Sequence, residues 1–242
     1  MTVTSDCHPN KGYTLPVAAL YIIGTPIGNL GDISSRMAEI LKTVGLVACE
    51  DTRRTLKLLN HLGIRVKTLS CRAQNEEFAA KKIIAALDEG VTVAYASDAG
   101  TPALSDPGSV LVRLAAAAGH EVIPVPGPSA FASLVSVSGG TDKTVIFEGF
   151  LSPKPGKRRA RLQELLSMRA AVVLYELPFR ILKLLENIAE IDKTRYTCIG
   201  REMTKVHEEY IRGTAEEVLS RLSGGKEPVG EFSVYISGNS SV

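Results

Sequence analysis

Apolar and polar positions follow two rhythms along this chain. Short apolar runs recur at 20–24, 46–50, 65–70, 91–97 and 121–125. Their length and β-branched content predict buried strands. Between them, 34–43, 52–61, 75–88 and 108–118 carry apolar residues at helical spacing. The third of these helices has Asn75 at the cap position, Glu76 and Glu77 in its first turn and Gly90 as a stop. Strands alternating with helices predict βαβ units and a mostly parallel sheet. The stretch Pro124-Val-Pro-Gly-Pro-Ser129 breaks this rhythm, and a domain boundary is expected near residue 126. Beyond it, strands are expected at 144–149, 171–176, 195–201, 206–212 and 231–237. Helices are expected at 129–137, 157–168, 179–190 and 215–222. The adjacent strands 195–201 and 206–212 predict a hairpin, and so a mixed second sheet. The expected architecture is α/β in two domains: a flexible tail at 1–18, a first domain at 19–126 and a second at 127–242.

Two glycine- and proline-rich loops fall where a strand gives way to a helix. One is Gly24-Thr-Pro-Ile-Gly-Asn-Leu-Gly-Asp32; the other is Ser97-Asp-Ala-Gly-Thr-Pro-Ala-Leu-Ser-Asp-Pro-Gly108. Open α/β sheets bind ligands at such strand ends. The glycines Gly24, Gly28 and Gly31 do not have the G-x-G-x-x-G spacing of a dinucleotide fingerprint, although Glu50 and Asp51 end the next strand as a ribose-binding carboxylate would. In the second loop, Ser105 or Asp106 is expected to cap the following helix, with Pro107 in its first turn. That leaves Asp98-Ala-Gly-Thr101 free for a ligand. Arg53 suits a bidentate phosphate clamp, or else Glu50-Asp51-Thr52 simply caps a helix. Between Lys154 and Arg161 five positive charges fall in eight positions. Cations at a helix start oppose its dipole, which favours a nucleic-acid contact over a plain solvated surface.

The composition changes this picture little. With 242 residues, 45% hydrophobic and 22% charged, and a net charge of +2, the chain is an ordinary globular protein rather than a polycation. No apolar run approaches the ~18 residues of a membrane span, and the first 18 residues lack an export-signal pattern. The four cysteines (Cys7, Cys49, Cys71, Cys198) and the four histidines are scattered. No metal motif or disulfide framework is expected, and a reducing, cytoplasmic compartment fits.

Taken together, several segments resemble the tetrapyrrole methylase superfamily, whose methyl donor is S-adenosylmethionine (SAM). They are Thr25-Pro-Ile-Gly-Asn-Leu-Gly-Asp32, Glu50-Asp-Thr-Arg53, Asn75-Glu76, Ser97-Asp-Ala-Gly-Thr-Pro102, Ser105-Asp-Pro-Gly108, Pro126-Gly-Pro-Ser-Ala130, Phe147-Glu-Gly-Phe-Leu151, Gly200-Arg-Glu-Met-Thr-Lys205 and Gly230-Glu-Phe232. The Glu-Asp-Thr-Arg and Gly-Arg-Glu segments are similar to the superfamily's ribosomal-RNA branch. The resemblance runs from residue 20 to about 237. It departs at Cys71-Arg-Ala-Gln74 and Leu177-Pro-Phe179, where relatives often carry a histidine, and at Phe150-Leu-Ser-Pro-Lys154, where a proline usually follows the leucine directly.

The resemblance implies the class III methyltransferase arrangement, a homodimer with SAM in the cleft between two α/β domains. It implies transfer to the 2′-hydroxyl of a cytidine in the 16S RNA decoding region. By position, the donor would meet Gly24, Pro26 and Gly28, Asp98, Ala99, Gly100 and Thr101, Ser129 and Ala130, and Glu176 and Leu177. The candidate bases for the hydroxyl proton are Glu50, Asp51, Glu76 and a deprotonated Lys205, with Arg53 on a flanking phosphate; the Glu50-Asp51-Arg53 corner is preferred because it lies at a strand end beside the first loop. RNA is expected on Arg53, Lys154, Lys157, Arg158, Arg159 and Arg161. The alternatives are a corrin or porphyrin-precursor methyltransferase, a nicotinamide dehydrogenase, and a non-catalytic SAM- or RNA-binding module.

Overall fold

The computed structural model describes residues 18–225 and 227–239. The expected tail, with Cys7 and His8, lies outside them apart from Ala18. In the first half, β1 (Leu20–Ile23), β2 (Leu46–Cys49), β3 (Lys67–Ser70), β4 (Val93–Ala96) and β5 (Val122–Val125) form one sheet. Its order is β3-β2-β4-β1-β5, and every pair is parallel. The connecting helices are α1 (Ser35–Thr43), α2 (Thr52–His61), α3 (Glu76–Asp88) and α4 (Ser109–Ala117). Met37, Ile40, Leu58 and Leu59 of α1 and α2 pack on one face of this sheet. Ala79, Ile83, Leu87 and Leu111 of α3 and α4 pack on the other. A sheet covered on both faces explains why its strands read as continuous apolar runs.

The second half begins with α5 (Ala130–Ser138). It continues through β6 (Val145–Phe150), α6 (Pro155–Leu166), β7 (Ala171–Glu176), α7 (Pro178–Ile191), β8 (Tyr196–Arg201), β9 (Glu209–Thr214), α8 (Ala215–Ser223) and β10 (Phe232–Ile236). The second sheet has the order β6-β7-β10-β8-β9. Only β6 and β7 run parallel, so the sheet is mixed as expected. Helices α6, α7 and α8 bury Leu162, Leu165, Ile181, Leu184 and Val218 on one face, and α5 covers the other through Leu134.

Helix starts follow local chemistry. Ser34 caps α1, Asp51 caps α2, and Thr214 with Glu217 forms a capping box on α8. Pro155 and Pro178 occupy the first positions of α6 and α7, where a missing N–H does no harm. Three expectations need correction. Asn75 makes no side-chain cap on α3; its Oδ1 accepts from Arg72 N instead. Strand β9 starts three residues later than expected, because Glu202 and Thr204 take left-handed backbone and lengthen the turn. The start of α4 is the third, and it belongs to the site.

Candidate active site

Parallel strands bring their carboxyl ends to one edge of the sheet. Because β1 and β4 are neighbours, the two glycine loops meet there. Thr25 N donates to Gly100 O (2.9 Å) and Gly100 N to Thr25 O (3.0 Å). The loop after β4 is tightly bent. Gly100, Ala103, Ser105 and Gly108 all have positive φ. For Ala103 and Ser105 this stores strain of order 1 kcal/mol or more each, a common feature of ligand loops. Helix α4 begins after Gly108, and neither Ser105 nor Asp106 caps it. The cap comes from α3: Glu76 Oε1 accepts from Gly108 N, Val110 N and Leu111 N at 2.9–3.0 Å. A carboxylate at a helix N-terminus satisfies orphan donors and the dipole together.

A cavity of about 330 Å³ opens beside the second loop. That is near the lower end of the roughly 300–1,000 Å³ typical of ligand pockets. The loops after β2 and β4 form one side, and the N-terminus of α5 lies alongside. The carboxyl end of β7 and the start of β10 close the other side. Its wall is acidic. Glu50, Asp98, Asp106, Glu176 and Glu231 line it, and Arg54 is the only cation among the described lining residues. Asp98 Oδ1 accepts from Asp51 N (2.9 Å), and its Oδ2 faces Arg54 Nε at 3.5 Å. Burial, then the charge of Asp98, pushes the Glu50 carboxyl above its ordinary value. Burial, then the charge of Glu50, pushes Asp106 up to about 6. Burial also raises Glu176 against the opposing pull of Leu177 N and Arg180. Glu176 is 2% exposed. Its Oε1 accepts from Leu177 N (2.9 Å) and pairs with Arg180 Nε (3.0 Å), while the buried Oε2 has no partner. That oxygen is shut away from solvent, so Glu176 adds negative charge behind the cavity wall, balanced by Arg180 and Arg158, rather than an open acceptor.

Of the expected donor residues, Asp98, Ala99, Gly100, Thr101, Ser129, Ala130, Glu176 and Leu177 line this one cavity. Gly24, Pro26 and Gly28 do not, and Ile27 represents the first loop there. A Cβ on Gly24 would lie 2.8 Å from Gly127 N. One on Gly28 would strike Lys205 and Thr204. These glycines therefore let loop pack on loop. Pro26 lines a smaller depression of about 130 Å³ that shares Arg54 and Asp98 with the cavity.

Of the expected bases, only Glu50 lines the cavity. Asp51 caps α2 and holds Arg53 through both oxygens (3.0 and 2.6 Å). The Arg53 side chain, then its backbone N–H, keeps the Asp51 carboxyl well below the usual carboxylate range. That makes it a poor proton acceptor and corrects its assignment as a base. Glu76 is corrected too, being spent on the α4 cap. Lys205 Nζ lies 2.8 Å from Glu202 and 3.0 Å from Glu231. Burial pulls its ammonium down, but these hydrogen bonds and charges outweigh burial and hold it above its ordinary value. It is a cation, not a base.

The basic run divides. Arg158 is buried and donates to Asn187 Oδ1, and Arg161 grips Glu148 through two bonds and pairs with Glu164. Arg158 is thus structural, which corrects its assignment to RNA, while Arg161 is held by its ion pairs but stays 38% exposed. Arg159 pairs with Glu190 at the surface. Lys154 and Lys157 are exposed and form no ion pair among the described residues. Arg53 is also exposed, at 81%.

Asp106, Arg54, Phe150, Tyr175 and Glu231 line the cavity without having been assigned a site role. Asp106 carried a signal, since it lies in the second loop; Glu231 and Phe150 lay inside recognised segments. Among the described residues no His, Cys, Asp and Glu side chains converge as metal ligands. Cys49, Cys71 and Cys198 are buried free thiols. No helix among the described residues is long and apolar enough to cross a membrane.

The family model "Tetrapyrrole (Corrin/Porphyrin) Methylases" matches residues 19–219. The chain is 46% identical over 223 residues to a ribosomal RNA small subunit methyltransferase I of Borrelia garinii subsp. bavariensis, covering 92% of this chain and 100% of that protein. It is 46% identical over 219 residues to the protein of the same name from Thermotoga maritima, covering 90% and 98%. Among solved structures, the methyltransferase CobJ superposes with a TM-score of 0.68 at 15% identity, covering 93% of this chain and 95% of that one. Cobalt precorrin-4 methyltransferase gives a TM-score of 0.64 at 15% identity, covering 91% and 95%. At that identity the two structures speak to the fold.

Proposed function

The chain belongs to the tetrapyrrole methylase family, among the ribosomal RNA small subunit methyltransferase I proteins, and from that premise we propose its reaction. The enzyme moves a methyl group from SAM to the ribose 2′-hydroxyl of a cytidine in the decoding region of 16S ribosomal RNA. It works as a cytoplasmic homodimer on the small ribosomal subunit, with the donor seated between its two α/β halves. The observation that carries this reading is the acid-walled cavity where the strand ends of the two halves meet. When bound, SAM supplies a methyl group on a positively charged sulfur that leaves readily. A cationic donor suits carboxylates in low dielectric, whereas the pyrophosphate of a nicotinamide cofactor would be repelled.

Asp98 to Thr101, Ser129, Ala130, Glu176 and Leu177 would hold the donor. Glu50 is the proton acceptor: its carboxylate lines the cavity, and its raised proton affinity makes it a better base than an ordinary one. The rest of the gain comes from alignment of the hydroxyl oxygen with the methyl to be transferred, which can be worth several kcal/mol. Arg53, splayed on Asp51, offers a preformed guanidinium to a flanking phosphate. Lys154 and Lys157 add salt-sensitive attraction to the backbone.

The test is transfer of labelled methyl from SAM to unmodified small subunits, with naked 16S RNA alongside and the product nucleoside identified by mass spectrometry. The expected product is 2′-O-methylcytidine on the subunit. If the donor binds but no RNA is labelled, the reading fails in favour of a small macrocycle substrate or a non-catalytic role.

A further inference from the structure

Strand β6 carries one irregularity. Phe147 pairs with Val173, Gly149 with Leu174 and Phe150 with Tyr175, so Glu148 is an extra residue on the β6 side. In an unbroken strand, Phe147 and Phe150 would point to opposite faces. Their partners Val173 and Tyr175 lie two apart and share a face, so the bulge brings both phenylalanines to that face. Gly149 makes the bulge with φ +70, and a Cβ on it would collide with Ser105 Oγ of the second glycine loop. The result is a ladder of rings. Phe131 and Phe147 have centroids 5.2 Å apart, Phe147 and Tyr175 5.0 Å, and Tyr175 and Phe150 5.8 Å. Phe150 is the outer rung. It is 52% exposed and lines the cavity.

Leaving half a phenyl ring in water forgoes hydrophobic stabilisation. Bulges beside active sites re-aim side chains. We propose that Phe150 is the shelf on which the base of the acceptor nucleotide stacks, while its ribose hydroxyl meets Glu50. This rests on the RNA-methylation reading above. A helix displays its 2′-hydroxyls along a shallow groove, and a hydroxyl taken into a recessed cavity is reached from a nucleotide splayed out of a single-stranded stretch. A splayed base needs an aromatic face to replace its lost stacking. The near T-shaped contact with Tyr175, at 66°, props the Phe150 ring while leaving it half open. Charge agrees, because Lys154 and Lys157 follow Phe150 on the same loop and helix start, exposed and placed for phosphates.

The chain has no tryptophan, so Phe150→Trp installs a sole indole. Its emission should be quenched saturably by oligocytidylate and not by an abasic ribose-phosphate of equal length. On unmodified small subunits, Phe150→Ala should raise KM about tenfold or more. It should change kcat less and leave SAM affinity by calorimetry unchanged. Trp or Tyr at this position should restore KM, whereas Phe150→Leu should not. Restoration by Leu would reduce the residue to an apolar rim. A parallel loss of SAM affinity would make it donor wall. Dissociation of a dimer in sedimentation by Phe150→Ala would make it an interface between copies. Each of these overturns the shelf. Quenching by oligocytidylate in a protein that methylates no RNA would keep the shelf and sink the proposed reaction. Methylation with an unquenched indole would sink the shelf alone.

Discussion

The loops after β1 and β4 look alike in sequence, each rich in glycine and proline at the carboxyl end of a central parallel strand, yet they do different work. The first presses against other backbone. Gly24 lies on Gly127, and Gly28 lies under the turn at Met203 to Lys205. The second bends through four left-handed residues and turns Asp98 to Thr101 and Asp106 toward the cavity. A glycine marks a close approach, but the local sequence does not say whether ligand or protein approaches. The difference lies in what the rest of the chain brings to each loop.

The contrast is broken most directly at Gly127. A Cβ there would collide with the Gly24 carbonyl, and neither backbone can yield. Gly127→Ala should lower stability by about 3 kcal/mol or more. For a chain of this length that is a fall of about 6–12 °C in the thermal midpoint. Calorimetric melts check it. A variant that melts normally but loses SAM affinity would make the first loop a ligand surface, and the contrast would collapse.

On the cavity side, Glu50→Gln should leave folding near wild type, weaken SAM binding only modestly because four wall carboxylates remain, and lower kcat about a hundredfold, equivalent to about 2.7 kcal/mol. The wild-type rate should fall as pH drops through a limb above the ordinary carboxylate range, because only the ionised carboxyl accepts the proton. That limb reports Glu50 and Asp106 together, since their charges act on each other. Glu50→Gln should flatten it. Normal turnover in the variant would remove Glu50 from the chemistry.

Glu76 separates support of the second loop from chemistry. Loss of three charge-assisted bonds in Glu76→Ala should lower stability by about 2 kcal/mol. Glu76→Gln, which keeps an acceptor, should lose about 1 kcal/mol. In both, turnover per folded molecule should survive. A Gln variant that melts normally but is inert would restore Glu76 as a base.

What the sequence showed of this molecule depended on how local each cause was. Strand 171–176 and helix 52–61 emerge at their expected bounds, because periodicity and nearby signals set them: Pro178 follows the strand, and Asp51 caps the helix. The cap of α4 was misread because it comes from Glu76, 32 residues before Gly108. Lys157, Arg158 and Arg161 look equivalent in a charge run, but Asn187 meets a buried Arg158 and Glu148 ties Arg161 down at the surface, both from other elements. Phe150 was readable as an apolar strand residue. Its aim toward the cavity follows only from the register with β7.

The smallest effect is also the one that tests whether the second loop is shaped for a ligand at the expense of stability. Asp106 is held at about 6 in the folded chain, above its ordinary 3.8, by burial and then the charge of Glu50. Between those values the folded state keeps a proton that the unfolded state gives up. The group's favourable contribution is therefore full below pH 3.8 and is lost as pH rises through about 6. Above pH 6 the protein carries a buried, repelled carboxylate, and Asp106→Asn should raise stability there by about 1 kcal/mol, or about 2–4 °C. Near pH 4 the two proteins should melt together. Melts at pH 4.5 and pH 8 read this directly. If the variant is instead less stable at pH 8, the carboxylate is stabilised by the neighbouring Ser97 side chain, which pulls against burial. The second loop would then be held together as the first is, by contacts of the protein with itself.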